Sequence, residues 1–296
     1  MLKKIQKICI LGATGLLGQA LVREGKKRNL SVIGVARKNA DVNLDITKDS
    51  DLKNFIENNN FDCVINTCAY VNHDVCEKSP GEAYLLNSRP SAILAGLSLE
   101  YDFKYVYIST DGYFNGDSKN VHNEEATVQF FNEYARTKYA GECFALTNAN
   151  SLVVRTNIVG FKGAETPTFA EWVIENLSKQ NMITLFDDYY TSSISVSQFS
   201  NALYDLISKD VCGRINLASS EVSSKKEFIT KLAEVFNFSL SNTTIGSIKN
   251  LLGSRRADSL GLDITKAEKL LGYKLPNLME VIEELHDEYK QLGNKN

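Results

Sequence analysis

The chain has 296 residues, a hydrophobic fraction of 43%, a charged fraction of 23% and a net charge of −3. That length can bury a core as one large or two modest domains, and the composition is that of a soluble globular protein. Both charge signs are scattered, so no basic stripe points to nucleic acid and no polybasic run points to an anionic membrane.

The chain starts MLKKIQKICILGATG, with lysines and then a five-residue apolar run that breaks into glycines. A signal peptide needs a longer run and a small-residue cleavage site, so this stretch reads as a first strand. No apolar segment approaches the roughly 20 residues needed to cross a bilayer, and the cytoplasm is the default expectation. The six cysteines (Cys9, Cys63, Cys68, Cys76, Cys143, Cys212) contain no CxxC, and with only His73, His122 and His286 beside them no metal spacing emerges.

In chain order, IQKICIL is followed by GLLGQALVREGKK, whose Leu17, Leu21 and Val22 fall on one helical side. SVIGVA, a polar helix over 49–58 and the strand CVINT come next. A long helical stretch is expected from about Pro80 to Tyr101, then the strand KYVYIST, a helix through Tyr134 and Lys138, and the strand SLVVRT. Strand and helix alternating in this way predict a parallel sheet covered on both faces, wound in both directions from its centre. VINT, YVYIS and LVV are apolar without alternation, as strands buried on both sides should be.

After about Gly160 the pattern loosens. TFAEWVIENLSK is amphipathic, TLFDD and SISV read as short strands, SQFSNALYDLIS as a helix and GRINLA as a strand. The remainder reads as mainly helical, ending in NLMEVIEELHDEYKQL. The expected organisation is a dinucleotide-binding domain over 1–160 and a smaller substrate-binding domain over 161–296, some segments of which return to the sheet.

Between the first strand and the first helix, ILGATGLLGQAL sets Gly12, Gly15 and Gly18 around Leu16 and Leu17. Gly12 permits a tight turn, Gly15 lets the backbone approach a pyrophosphate, and Gly18 lets helix and strand pack closely. The helix start supplies free N–H groups and a positive dipole end. The context, directly after a first strand in an alternating chain, is the one a Rossmann-type dinucleotide site requires; the bland alternative is a purely structural tight turn. The second strand ends in Ala36, Arg37 and Lys38, not in an acidic residue. An arginine there accommodates a 2′-phosphate, which favours NADP and leaves NAD as second choice. Read blandly, Arg37 and Lys38 are solvated loop charges. Asp45 and Ile46 stand where an adenine edge and face could be held.

Tyr134 is the one tyrosine of 13 with a lysine, Lys138, four residues later. On a helix the two share a face. They form either an acid–base pair or a chance spacing on a solvated helix to which Glu133 and Arg136 also belong.

Four stretches occur in order: GATGLLGQAL, DCVINTCAYVNHDVCE, VYISTDGYFNG and NEYARTKYAGE. With them the chain resembles the extended short-chain dehydrogenase/reductases, most closely the dTDP-4-dehydrorhamnose reductase branch. The tail RRADSLGLDITKAEKLLGYKLPNLMEVIEEL is similar in style. The resemblance implies that Thr110, Tyr134 and Lys138 work together at the end of a sheet strand. Tyr134 would exchange a proton with a sugar ketone while reduced nicotinamide delivers hydride, and Thr110 would orient the carbonyl. Lys138 would bond the nicotinamide ribose and draw the phenol's pKa down from near 10. It further implies Thr67, Cys68, Ala69 and Ile108 beside the cofactor, and Asp111 and Asn157 beside the substrate.

Some positions depart from the branch. Gly112, Tyr113 and Phe114 follow the STD stretch, DDYYTSSIS replaces its later loop, and Asn157 stands where a serine is more usual. Such an asparagine is common in nucleotide-sugar epimerases and dehydratases. The expected activity is NADP-dependent reduction of a keto group on a nucleotide-activated deoxysugar. An epimerase or dehydratase is the alternative on the same scaffold, although the Asp-Glu pair of a dehydratase is absent. A cofactor-binding regulatory subunit without turnover is the alternative of another class. A homodimer is an expectation resting on the resemblance alone.

Overall fold

A computed structural model describes residues 4–250 and 253–293 of the chain. Seven strands make one parallel sheet. From edge to edge they are Gly213–Asn216, Leu152–Arg155, Lys104–Ile108, Cys63–Asn66, Lys7–Leu11, Ser31–Ala36 and Val42–Asn43. Chain order reverses at Lys7–Leu11, where Ile8 pairs with Val32 on one side and Cys63 on the other. In open α/β sheets a ligand crevice opens at such a reversal, beyond the carboxyl ends of the strands.

The two-residue period of a strand sorts side chains between two cores. Ile8, Ile10, Ile65, Val106 and Val154 pack with Leu17 and Leu21 of the helix Leu16–Lys27, and with Phe199 and Leu203 of the helix Val196–Ser208. Cys9, Leu11, Val64, Tyr105 and Val153 face the other way, onto Leu52 and Ile56 of the helix Asp49–Glu57 and Leu94 and Leu97 of the helix Arg89–Glu100. The sheet is therefore covered on both faces, as its non-alternating apolar strands predict. A third core lies among the helices Phe169–Ser178, Lys225–Phe236 and Leu278–Gly293, around Val173, Phe228, Leu232 and Ile282.

Three expectations are corrected. The helical stretch from about Pro80 to Tyr101 is divided at Ser88 into Pro80–Asn87 and Arg89–Glu100, and a short helix His73–Lys78 precedes it. Pro80 and Pro90 each sit in a helical first turn, where proline's missing N–H and fixed φ are tolerated and from which the preceding turn cannot continue. The helix after SISV starts earlier than expected, at Val196, because Ser195 caps it by accepting from the Gln198 N–H. The segment after the last sheet strand, expected to be mainly helical, also holds short strands. Ser223–Ser224, Thr243–Gly246 and Ser259–Leu262 are strands that pair outside the main sheet. No described helix is long and apolar enough to cross a membrane.

Candidate active site

The glycine turn is built by close approach. A Cβ on Gly18 would stand 2.1 Å from the Gly12 carbonyl oxygen, and one on Gly12, whose φ is +89°, would stand 2.5 Å from Thr67 Oγ1. Thr67 Oγ1 donates to the Leu11 carbonyl at 2.7 Å, which ties the end of the fourth strand to the start of the turn. Gly15 is the N-cap of Leu16–Lys27 and has no side chain to occupy the first-turn N–H groups. That is the cradle a pyrophosphate needs: backbone donors, a positive helix end and no side chain in between.

A cavity of about 670 Å³ extends from this turn along the second strand, lined by Gly12, Gly15, Arg37, Asp45, Ile46 and Cys68 among others. Arg37 and Lys38 are exposed at its rim. Thr47 hydrogen bonds hold the Asp45 carboxylate below the usual range, and Arg37 acts in the same direction. Burial pushes the Cys68 thiol up to about 12, so it is inert as a thiolate in the wall. A second cavity of about 520 Å³ continues past Leu16, Leu17, Ala69 and Ile108 to Thr110, Tyr134, Lys138 and Asn157. Gly15, Thr67, Ala69 and Lys162 line both. The sequence-derived cofactor residues thus border one continuous cleft, whose two chambers suit the two halves of a dinucleotide.

Thr110 follows the strand Lys104–Ile108, and Tyr134 opens the helix Glu133–Ala145 that lies beside it. Two contacts set that helix against its neighbours. Gly141 lets it come so near that a Cβ there would meet the Tyr107 hydroxyl at 2.3 Å, and Ser88 Oγ donates to the Thr137 carbonyl at 2.7 Å. Lys138, one turn beyond Tyr134, is 3% exposed. Its Nζ donates to the Ile108 carbonyl at 2.7 Å and lies 4.2 Å over the Tyr107 ring.

The electrostatics correct one expectation. Burial lifts the Tyr134 phenol to about 12, against a lowering hydrogen bond with Thr110, while Asp111 raises it further. The Lys138 ammonium does not draw it down. Lys138 is itself pushed down to about 7 by burial, with Cys68 and Glu142 acting in the opposite direction. At neutral pH the phenol therefore holds its proton: the proton is there to be given, from a weaker acid than a free tyrosine, and the phenolate base is absent.

Beyond Tyr134 a smaller cavity of about 150 Å³ is lined by Thr110, Asp111, His73, Asn157, Tyr189 and Arg256 among others. Asn157 Nδ2 donates to Asp111 Oδ2 at 2.8 Å, and Ser193 Oγ donates to Asn157 Oδ1 at 2.7 Å. Burial raises the Asp111 carboxyl to about 7, opposed by Asn157 and then by Lys225. His73, Tyr189, Lys225, Arg256 and Lys162 are absent from the sequence-derived set. His73, Tyr189, Arg256 and Lys162 reach the cleft from separate loops and a helix start, and Lys225 acts on Asp111 from the start of Lys225–Phe236; no periodicity or spacing marks them. Among the described residues, no three His, Cys, Asp or Glu side chains gather as a metal site.

The model of one family, described as the RmlD substrate binding domain, matches residues 6–291 of the chain. A probable low-salt glycan biosynthesis reductase, Agl14, from Haloferax volcanii is 25% identical over 281 residues, 91% of this chain and 93% of that protein. The methionine adenosyltransferase 2 subunit beta of Pongo abelii is 26% identical over 306 residues, 95% of this chain and 87% of that protein. Among solved structures, the dTDP-4-dehydrorhamnose reductase of Bacillus anthracis in complex with NADP superposes with a TM-score of 0.87 at 25% identity, covering 96% of this chain and 100% of that one. The glycine cradle, the strand-end threonine and the Tyr–Lys helix thus sit within a match that spans nearly the whole sequence, and the chain belongs to the RmlD substrate binding domain family, the dTDP-4-dehydrorhamnose reductase-like branch of the extended short-chain dehydrogenase/reductases.

Proposed function

We propose that the chain reduces a keto group on a nucleotide-activated deoxysugar at the expense of NADPH. It is an NAD(P)-dependent oxidoreductase of the short-chain dehydrogenase/reductase type. The observation that carries the reading is the meeting of Thr110, Tyr134 and Lys138 where the dinucleotide cleft opens into the smaller cavity.

The nicotinamide, when bound, supplies the hydride. Tyr134, protonated at neutral pH, supplies the proton that the carbonyl oxygen takes up. Thr110, which lines the same cavity wall as Tyr134 and lowers its phenol's pKa, orients the same oxygen. Asp111 accepts from Thr110 Oγ1 at 3.3 Å and titrates at about 7, so it is placed to return a proton to the phenol along a Tyr134–Thr110–Asp111 path. Lys138 fixes the strand end by donating to the Ile108 carbonyl and stands on the cofactor side of Tyr134. Gly12, Gly15, Leu16, Leu17 and Gly18 would hold the pyrophosphate, and Arg37 a 2′-phosphate, which favours NADP over NAD. Arg256 and Lys225 supply cationic charge on the substrate side, as a sugar linked through a diphosphate demands. Residues 161–296 would form most of the substrate side.

The likeness to methionine adenosyltransferase 2 subunit beta keeps a regulatory subunit as the second reading. NADPH oxidation against a panel of nucleotide 4-keto-sugars separates the readings. A reductase consumes NADPH stoichiometrically, an epimerase or dehydratase recycles it, and a regulatory subunit binds it without consumption. Tyr134→Phe should keep NADPH affinity and lose turnover by roughly 10²- to 10⁴-fold, the usual contribution of a general acid. Unchanged turnover in that variant would exclude the assignment.

A further inference from the structure

His73 lies outside the mechanism above, yet its ring stacks on Tyr134 with centroids 4.8 Å apart and planes at 26°. It lines the substrate cavity beside Thr110, Asp111 and Tyr189. The protonation state of the ring can be read from its neighbour. Asn132 is the N-cap of Glu133–Ala145, and its Oδ1 accepts from the Ala135 N–H at 2.8 Å. That bond fixes which end of the amide is oxygen, a choice otherwise open at an Asn. Asn132 Nδ2 then donates to the Arg255 carbonyl at 2.9 Å and faces His73 Nδ1 at 3.0 Å. An amide NH₂ only donates, so Nδ1 offers its lone pair, and a neutral imidazole must carry its proton on Nε2. Burial, and then Arg256, lower the His73 pKa to about 4 against a smaller opposing effect of Asp74, so the ring is neutral at working pH. No described residue accepts from Nε2.

We propose that His73 is a specificity residue whose Nε2–H donates a hydrogen bond to an uncharged oxygen, a hydroxyl or carbonyl, on the sugar of the substrate. An uncharged donor adds little toward a phosphate, and Arg256 already brings cationic charge to this cavity. Next to the phenol, the donor discriminates sugars by whether they present an oxygen there. A sugar that lacks it leaves the N–H unsatisfied, which is how a polar site rejects a near-analogue. The identity of the ligand rests on the nucleotide-sugar reading, whereas the tautomer rests on geometry alone.

Two measurements test this. Long-range ¹H–¹⁵N NMR of the wild-type protein should assign His73 to the neutral Nε2–H form, and an Nδ1–H or imidazolium signature at pH 7 overturns the proposal. Calorimetric titration should compare dTDP-glucose and UDP-glucose with free dTDP and UDP, on wild type and His73→Phe, a change that keeps an aromatic ring against Tyr134. The nucleotide sugars should bind the variant about threefold to tenfold more weakly, the worth of one neutral hydrogen bond, with the free diphosphates unaffected. Equal weakening of both kinds of ligand, or no weakening, overturns it. Wild-type protein that binds no nucleotide sugar overturns the functional reading and the ligand assigned to His73 together, and the NMR spectrum keeps that failure separate from a wrong ring geometry.

Discussion

At the scale of single residues, the strongest conflict in the cleft is at Asp111, a carboxyl 3% exposed. Burial raises its pKa to about 7, and neither the Asn157 donor nor Lys225 outweighs that. The sign follows from linkage. The folded carboxyl binds its proton more tightly than the unfolded one, so stability is full below the unfolded value near 3.8 and declines as pH rises toward about 7. Asp111→Asn removes the ionisable group and keeps one acceptor for the Asn157 amide. The variant should therefore melt close to wild type at pH 4 and above it at pH 8, by at most ~4 kcal/mol, the span between the two pKa values. Thermal melts across pH 4 to 8 measure it, and a gap between the proteins that does not widen with pH would refute the buried-charge account. The same substitution blocks a proton from returning through Asp111, so turnover should fall in the variant that gained stability, a trade that functional carboxylates often make. Arg37 and Lys138 were legible as candidates because one follows a strand and the other sits a helical turn from Tyr134, whereas Thr110 was named through the resemblance. His73 was not legible, because its meaning depends on an amide 59 residues away in sequence whose orientation only the folded helix cap fixes.

At the scale of elements, the turn between the first strand and the helix Leu16–Lys27 shows how little freedom a phosphate cradle leaves. Gly18 packs against the backbone of Gly12 and Ala13, at 2.1 Å and 2.7 Å from an imagined Cβ, and neither contact can yield by a side-chain rotation. Gly18→Ala must shift the helix start away from the strand. It should destabilise the fold by ~1–3 kcal/mol, the range for overpacking, and weaken NADPH binding more than tenfold, because the first-turn N–H groups move with it. Gly81→Ala, where an added Cβ meets nothing within 4 Å, is the matched control and should change neither. Denaturation curves and NADPH titration by fluorescence read both effects; intact cofactor affinity in the Gly18→Ala variant would show that the close approach is incidental. Here the sequence is most informative, since glycines at fixed offsets after an apolar run announce a tight turn with close backbone approach, whether or not a phosphate sits on it. Where hydrophobic period alone had to decide, boundaries moved. Residues 80–101 read as an undivided helical stretch because the apolar positions continue across Ser88, although Ser88 leaves the helical path to donate to Thr137 and Pro90 restarts the chain. Thr243–Gly246 escaped notice because it pairs only with Ile183–Phe186, as a two-strand ladder with partly exposed faces.

At the scale of the whole molecule, the question is what holds the Tyr134 helix in register with the strand end that carries Thr110. Glu142, two turns beyond Tyr134 and 0% exposed, receives Ser109 Oγ at 2.9 Å from the residue before Thr110. It also receives Arg155 Nη2 at 2.7 Å and Nε at 3.1 Å from the next strand, and Arg214 Nε from the edge strand. The guanidinium of Arg155 donates further to the Glu124 carbonyl, as does that of Arg214, and Glu124 Oε1 accepts from the Asn216 N–H at 3.0 Å. One carboxylate thus joins the Tyr134 helix to the ends of two neighbouring sheet strands and to the edge strand Gly213–Asn216. Desolvating three charges cancels much of what their attraction gains, so the cluster is weak evidence for net stability. Its value lies in uniqueness of geometry, because no sliding of the helix preserves all of these bonds. Removal of the central partner is a different matter, since it strands Arg155 in the interior as an unpaired cation. Glu142→Ala should cost ~3–5 kcal/mol, whereas Arg214→Leu, at a site still in partial contact with water, should cost ~1–2 kcal/mol and leave the Glu142–Arg155 pair intact. Chemical denaturation gives the ordering, and kcat gives the functional counterpart. If the cluster sets the distance between Thr110 and Tyr134, kcat should fall more than tenfold in the folded fraction of Glu142→Ala while NADPH affinity, set at the other end of the cleft, stays near wild type. Equal stability of the two variants, or a parallel loss of cofactor affinity and kcat, would mean that the helix is positioned by its apolar contacts and the buried charges follow.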